Sequence, residues 1–482
     1  MSEKEAIKKG QYNEDGFVFQ QLSLKYPNYD HFIQSSVNIN ISKNDFKKVT
    51  SNVVPVEETS QSVQEIELDS MATLKQRSTK KLDVKHIDTT LITRIQYPHS
   101  ASSFVSELYE KLTSSRCRII HYGDSQLEGD RITSYLRNRL QTTFGGNGPG
   151  FLPVMPVYNQ SSAIIEPDEH WLRYARFDPA QPKFNHKKYG AYLSVSRFTP
   201  YFQEVDSLTL DSLPVVKASL TIRKSNHTYT TSKRFTKIGL HYGHAKAPVH
   251  IFVFNDEQLI QQDTLYADGN YHKYAINTSV TPTNLRIELE GKISPDFYGL
   301  TLDGWRGVQM DNVAMRGSSG TIFASTNAAN YSHMVNILQP KIVMMQYGGN
   351  TVPYLKDSVA VRKYAKYVVS QVAWMRRRTT ENPSFVFIGP SDMSTSINGK
   401  MTTYPLLPYL NNTLQTTCLE NNIAYWSMYD AMGGEGSMSY WVDQKLAGKD
   451  YTHFTRSGTK IISELFFTAL YLDLKQNSPN EL

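Results

Sequence analysis

The feature that most constrains this chain is a hydrophobic period that changes twice. From about residue 103, helical and buried-strand patterns alternate. SSFVSELYEKLTSS (102–115) carries apolar residues at helical spacing behind a capping serine, and RCRIIHYG (116–123) is a short apolar strand. DSQLEGDRITSYLRNRLQTTF (124–144) is a turn running into an amphipathic helix, which GGNGPG (145–150) stops. Over about 185–300 the helical period vanishes. AYLSVSRF, KASLTIRK, KIGLHYGH, VHIFVFND and NLRIELEG alternate apolar and polar residues between turn formers, the patterning of a β-sandwich. From about 308 the first rhythm returns. KIVMMQYGGN (341–350), SFVFIGPSD (384–392) and IAYWSMYD (423–430) read as strands, with helices over 359–378, 404–422 and 455–475.

A helix buries a stripe and an alternating strand buries one face, so the two patterns belong to different packing units. The chain has 482 residues, too many for one compact core. The expected organisation is an α/β domain interrupted by a β-sandwich. It comprises a polar tail and linker over 1–95, a first α/β part over 96–184, the insertion over 185–306 and a second α/β part over 307–482. Within the tail, FVFQQLSL (17–24) and VNINIS (37–42) could form short strands, and SNVVPVEETSQSVQEIELDS reads as a linker.

Several function classes fall away. The net charge of +6 is a slight basic excess, and its densest cluster, KQRSTKK (75–81), does not resemble a nucleic-acid-binding arm, so no nucleic acid partner is expected. Two cysteines, Cys117 and Cys418, cannot build a disulfide framework, and both are expected to be buried and inert. GGNGPG lacks the Lys-Ser/Thr of a phosphate loop. His241 and His244 lack further ligands at suitable spacing, so no metal and no cofactor are expected. No run of about 20 apolar residues is present, and MSEKEAIKKGQYNEDGF has no apolar signal core. The protein is therefore expected either in the cytoplasm or, with an export signal missing from this sequence, in the periplasm or cell envelope.

Four short stretches carry chemistry. In RIIHYGDSQ (118–126), Ser125 follows a buried strand and opens a helix, where free N–H groups suit an oxyanion; capping by Asp124 or Ser125 is the plain alternative. In KDYTHFTRSG (449–458), Asp450 and His453 lie three residues apart, so one loop can present a carboxylate to an imidazole. YGGNT (347–351) ends a strand and offers the Asn350 amide, and MRGSSGT (315–321) offers the N–H of Gly317, with Gly320 as competitor. His121 is expected to be packed, Asp124 to cap a turn, and Asp130 and Arg131 to form a surface or core-edge pair. Tyr440 and Trp441 suit either a sugar cleft or a core.

The order G-D-S, Gly, G-x-N, D-x-x-H resembles the block pattern of the SGNH (GDSL-like) hydrolases. The resemblance implies a three-layer α/β/α fold around a parallel sheet. It also implies a Ser125–His453–Asp450 triad and an oxyanion hole from the Ser125 N–H, the Gly317 N–H and the Asn350 amide. G-D-S-Q stands for G-D-S-L and G-G-N-T for G-x-N-D, departures that exclude the most typical members. HYGDSQLEGDRITSYLRNRLQTTFGGNGPGF (121–151), GPSDMS (389–394) and AMGGEGSMSYW (431–441) are similar to the branch of bacterial peptidoglycan O-acetylesterases, whose members carry an inserted carbohydrate-binding-module-like β-sandwich. The similarity covers about 100–475. It implies removal of the C6 O-acetyl group of muramic acid, with O-acetylated peptidoglycan or a related glycan as partner. The alternatives are an SGNH esterase or acetyltransferase on another acetylated polysaccharide, and a non-catalytic glycan-binding protein.

Overall fold

A computed structural model describes residues 16–19, 22–25, 91–98, 100–201 and 207–477. The linker and VNINIS lie outside the described residues, as does most of the expected tail. FVFQQLSL falls on an antiparallel pair, Gly16–Phe19 with Leu22–Lys25.

The parallel sheet runs Gly307–Ala314, Arg116–Gly123, Pro340–Gln346, Ser384–Ile388, Ala424–Trp426, each strand parallel to its neighbour. Its strands Pro340–Gln346, Ser384–Ile388 and Ala424–Trp426 are mostly apolar along both faces, as expected where helices cover both. Arg116–Gly123 and Gly307–Ala314 also bury polar side chains. Along the first strand Ile119 packs with helices Ala101–Thr113, Thr133–Phe144 and Arg456–Asn477, while Ile120 faces the core shared with Ala328–Leu338, Ser358–Arg376 and Leu407–Glu420. The result is three layers, α/β/α. The strand Arg116–Gly123 comes first in sequence yet sits second in the sheet. The following strand joins on one side of it and the later ones on the other. That reversal opens a crevice at the carboxyl ends, where binding sites of such sheets form.

Two antiparallel sheets interrupt this domain. One runs Gln258–Leu265, Val249–Asn255, Leu285–Gly291, Val216–Lys224, Ala163–Pro167; the other runs His272–Asn277, Lys237–Gly243, Asp296–Asp303, Ser194–Arg197, Leu172–Ala175. Leu285–Gly291 alternates buried and half-buried residues along its length, and Leu220, Ile238, Leu240, Ile251, Ile287 and Leu300 fill one shared core. The antiparallel strands begin at Gly150–Leu152, which pairs with Asp296–Asp303, well before the expected start at 185. The early strands escape pattern reading because they have only three to five residues each.

The sandwich is fastened to the parallel sheet by buried charge. Arg118 donates to Asp311 at 2.5 Å and to Gln309 at 2.9 Å, and pairs with Asp303 at the end of a sandwich strand. Asp311 also accepts from the Phe151 N–H at 3.0 Å and the Tyr192 hydroxyl at 2.9 Å. Burial pushes the Asp311 carboxyl up, and the Arg118 guanidinium opposes that push.

Candidate active site

Ser125 sits two residues past the strand Arg116–Gly123, at the start of a 3-10 turn, Ser125–Asp130. The Asp124 carboxylate caps that turn, accepting the Gln126 N–H at 3.0 Å. Gly123 is required by close approach: a Cβ there would lie 2.6 Å from Leu127 Cδ1. Gly129 supplies the left-handed backbone, φ 66°, that lets the turn pass into the helix Thr133–Phe144. Arg131 clasps the turn from below, donating to the carbonyls of Ser125 at 2.8 Å and Glu128 at 3.0 Å.

The Ser125 hydroxyl lies 2.8 Å from His453 Nε2. His453 Nδ1 lies 2.7 Å from Asp450 Oδ2, and Asp450 Oδ1 accepts the His453 N–H at 3.0 Å and the Thr452 N–H at 3.1 Å. With Nδ1–H directed at the carboxylate, Nε2 carries the lone pair that faces Ser125. Burial pulls the Asp450 carboxyl up, but hydrogen bonds from the His453 ring and backbone and from Thr452 outweigh it and hold the carboxyl below its usual value. Two contacts tie this loop down. The Gln126 side chain donates to the Thr452 carbonyl at 2.7 Å, and the Gly448 N–H donates to the His453 carbonyl at 2.7 Å. Trp441 is fully buried, its ring tilted against Phe454 with centroids 5.2 Å apart, so it is core beneath the loop and not cleft lining.

Asn350 opens the short 3-10 turn Gly349–Tyr354 after the strand Pro340–Gln346. Its amide nitrogen donates to Asp124 Oδ2 and to the Ser318 carbonyl, each at 3.1 Å. Both amide hydrogens are thus directed at acceptors. Burial pushes the Asp124 carboxyl up to about 6, against the Gln126 N–H and the His453 ring, which pull it down. The cleft opens to solvent and brings together Ser125, Asn350 and His453, with walls from Gly389, Pro390 and Met393. Gly317 and Gly320 lie in the turn after Gly307–Ala314 and do not line that cleft. The Gly320 N–H donates to Ser318 Oγ at 3.2 Å, and a Cβ there would strike the Tyr347 ring; Gly317, φ 74°, has open space around it.

The remaining expectations divide. His121 is buried against Thr133 at 3.0 Å, and burial pushes its imidazole down to about 3. Cys117 and Cys418 are buried free thiols. Asp130 and Arg131 do not pair. Asp130 binds Arg137 at 2.7 and 3.1 Å in the interior, and Arg131 serves the nucleophile turn, because Asp130 turns inward at φ 62°. Sequence reading named Arg131 only as a partner of Asp130 and missed its support of the nucleophile turn; it also missed Gln126, whose only local sign was the Gln in G-D-S-Q. His241 is buried between Tyr271 and Thr301, at 2.6 and 3.0 Å. His244 does have companions: ligand-type atoms of His186, His244 and Asp296 lie within 4.8 Å of one another. The sheet pairs Asp296 with Gly243, and the connection between Leu172–Ala175 and Ser194–Arg197 brings in His186. The Lys188 N–H donates to His186 Nδ1 at 2.9 Å, the Lys188 ammonium lies 3.4 Å from His244 Nδ1, and Arg197 pairs with Asp296. The Nε2 atoms of His186 and His244 and the Oδ2 atom of Asp296 are buried and have no hydrogen-bond partner among the described residues.

No protein-family model and no curated protein matches the sequence. Among solved structures, a peptidoglycan O-acetylesterase aligns with a TM-score of 0.59 at 18% identity, covering 79% of this chain and 99% of that one. An acetyl xylan esterase aligns at 0.26 and 13% identity, over 34% of this chain and 81% of its own. A salicylyl-acyltransferase from a tetracycline biosynthetic pathway aligns at 0.27 and 12%, over 68% and 98%. What the first likeness establishes is the fold: this chain adopts an SGNH-like α/β/α architecture carrying antiparallel sheets, the architecture of the solved peptidoglycan O-acetylesterase.

Proposed function

We propose that this protein is a serine esterase that removes O-acetyl groups from peptidoglycan, at C6 of muramic acid, through an acetyl-enzyme. The observation that carries the proposal is the continuous relay from Ser125 through His453 to Asp450, with contacts of 2.8 and 2.7 Å at the carboxyl end of a parallel sheet. His453 Nε2 takes the Ser125 proton as the hydroxyl oxygen attacks the acetyl carbonyl. Asp450 holds the ring in the required tautomer and stabilises the imidazolium. The tetrahedral oxyanion is received by the Ser125 N–H and the Asn350 amide; the Gly317 N–H expected from the sequence lies in a turn that does not line the cleft. Because both Asn350 hydrogens already have acceptors, its donation to the oxyanion draws on one of the resting contacts to Asp124 or Ser318. His453 then returns the proton to the sugar oxygen, which leaves, and activates water to release acetate.

Likeness of fold to a peptidoglycan O-acetylesterase, together with the block order and the longer shared stretches, favours this substrate over other acetylated glycans. The proposed place of action is the periplasm or cell envelope, where such a glycan lies, and the antiparallel sheets are proposed to help hold it. No helix among the described residues is long and apolar enough to cross a membrane. The test is acetate release from O-acetylated peptidoglycan and from acetylated xylan. Release from peptidoglycan that Ser125→Ala abolishes, with little from xylan, is the expected result. No release from either glycan or from a small acetyl ester would sink the triad reading.

A further inference from the structure

A second depression, of about 540 Å³, adjoins the nucleophile turn where the sandwich meets the parallel sheet. Its walls include Glu128, Phe151, Tyr158, Arg173, Phe177 and Arg316. Its walls take Glu128 and Gly129 from the nucleophile turn and Arg316 from the turn after Gly307–Ala314.

Its charge is unusual. Arg173 is half-buried beside the Phe177 ring, 5.5 Å from its centroid, and among the described residues no carboxylate lies within 4.0 Å of its guanidinium. Glu128 and Asp178 act on it only at longer range, and burial pulls its pKa down, the mark of a cation held where water is scarce. Arg316 is mostly exposed, lies over the Tyr158 ring at 5.5 Å, donates to the Tyr158 hydroxyl and reaches Glu128 only at 3.9 Å. The groove thus offers two guanidinium groups against one half-buried carboxylate. Tyr158 is 41% exposed and carries the Arg316 guanidinium over its ring, so the pair forms one amphipathic wall of the groove. A half-buried guanidinium with no carboxylate close by is open to an anionic ligand, and its planar fork matches a carboxylate.

We infer that this groove is a substrate subsite in which Arg173 and Arg316 bind a carboxylate carried beside the acetylated sugar. The substrate class is then an acid-bearing acetylated glycan. A neutral acetylated polysaccharide leaves Arg173 unpaired. This inference takes from the esterase proposal only the nature of the glycan.

The experiment uses the Ser125→Ala chain, which leaves the ester intact, and measures binding of an O-acetylated muropeptide and of its methyl-esterified form by calorimetry. The free acid is expected to bind about ten- to a hundredfold more tightly at low salt, as for a charge-assisted hydrogen bond. The preference should shrink as ionic strength rises. Arg173→Ala and, independently, the exposed-site Arg316→Ala should bring the ratio close to one, and Arg173→Lys should restore part of it. Lys237→Ala, over the Trp305 ring at the other end of the sheet, should leave the ratio in place. Equal binding of acid and ester, a ratio indifferent to both arginine variants, or no binding of either form overturns the inference. Acid-selective binding by a chain whose wild type releases no acetate would instead overturn the esterase proposal and leave the groove standing.

Discussion

Charge is used in opposite ways at the two ends of the strand Arg116–Gly123. At its amino end Arg118 is buried among Asp303, Asp311 and Gln309. At its carboxyl end the Asp450 and His453 side chains are 53% and 37% exposed. The amino-end cluster joins a sandwich strand to two sheet strands, and Arg118 and Asp311 each take several partners there. The carboxyl-end pair sits on a loop and keeps His453 Nε2 and the Ser125 hydroxyl facing a cleft. The contrast shows which charges fasten and which stay free to react. A buried ion cluster closed off from the cleft has no substrate to exchange a proton with, whereas a relay at the crevice edge holds its tautomer with one carboxylate and turns the other nitrogen to the nucleophile.

The comparison can be broken at either end. The largest expected effect is Ser125→Ala, which should lower acetate release by about 10⁴-fold or more while leaving the melting temperature nearly unchanged; a large stability loss instead would mean that Ser125 is structural. Next is Arg118→Ala. Removing one member of a buried ion cluster should cost about 3–5 kcal/mol of unfolding free energy, read by denaturant titration. A stable Arg118→Ala protein would show that the sandwich is held by its apolar contacts alone. Asn350→Ala should lower the rate by about 10²–10³-fold, less than Ser125→Ala. Equal rates for Asn350→Ala and wild type would remove Asn350 from the oxyanion site.

The smallest effect is one of pH. Asp392 is buried, accepts the Met438 N–H at 2.7 Å and the Thr403 hydroxyl at 2.8 Å, and anchors the loop behind the cleft. Burial nevertheless pushes its carboxyl from 3.8 up to about 6. A carboxyl whose folded pKa is raised binds more protons in the folded state than in the unfolded one, so its contribution to stability falls as pH rises between about 4 and 6. Asp392→Asn removes that titration. As pH is lowered from 6 to 4, wild type should gain up to on the order of 3 kcal/mol relative to Asp392→Asn, followed by thermal melts across pH. Parallel stability curves for the two proteins would refute the raised pKa.

Much of this molecule was legible from local pattern. The change of period marked the sandwich, because helices and alternating strands leave different repeats. The positions of Ser125 after a strand and of Asp450 three residues before His453 were legible too, since strand, turn and loop geometry act over a few residues. What the pattern hid was short or doubly buried. Gly150–Leu152 has three residues, and Asp296–Asp303 is buried throughout, so neither alternates.

By itself, then, the sequence determined the elements, the order of the four chemical stretches and the pairing of Asp450 with His453 on one loop. Only the tertiary structure decided that Ser125 meets His453 across 328 residues. It also placed Arg131 under the nucleophile, His186 and Asp296 beside His244, and Arg173 with Arg316 across one groove. Such contacts depend on which strands neighbour one another in the sheets. That choice is made by collective burial of faces, which no short stretch of sequence encodes.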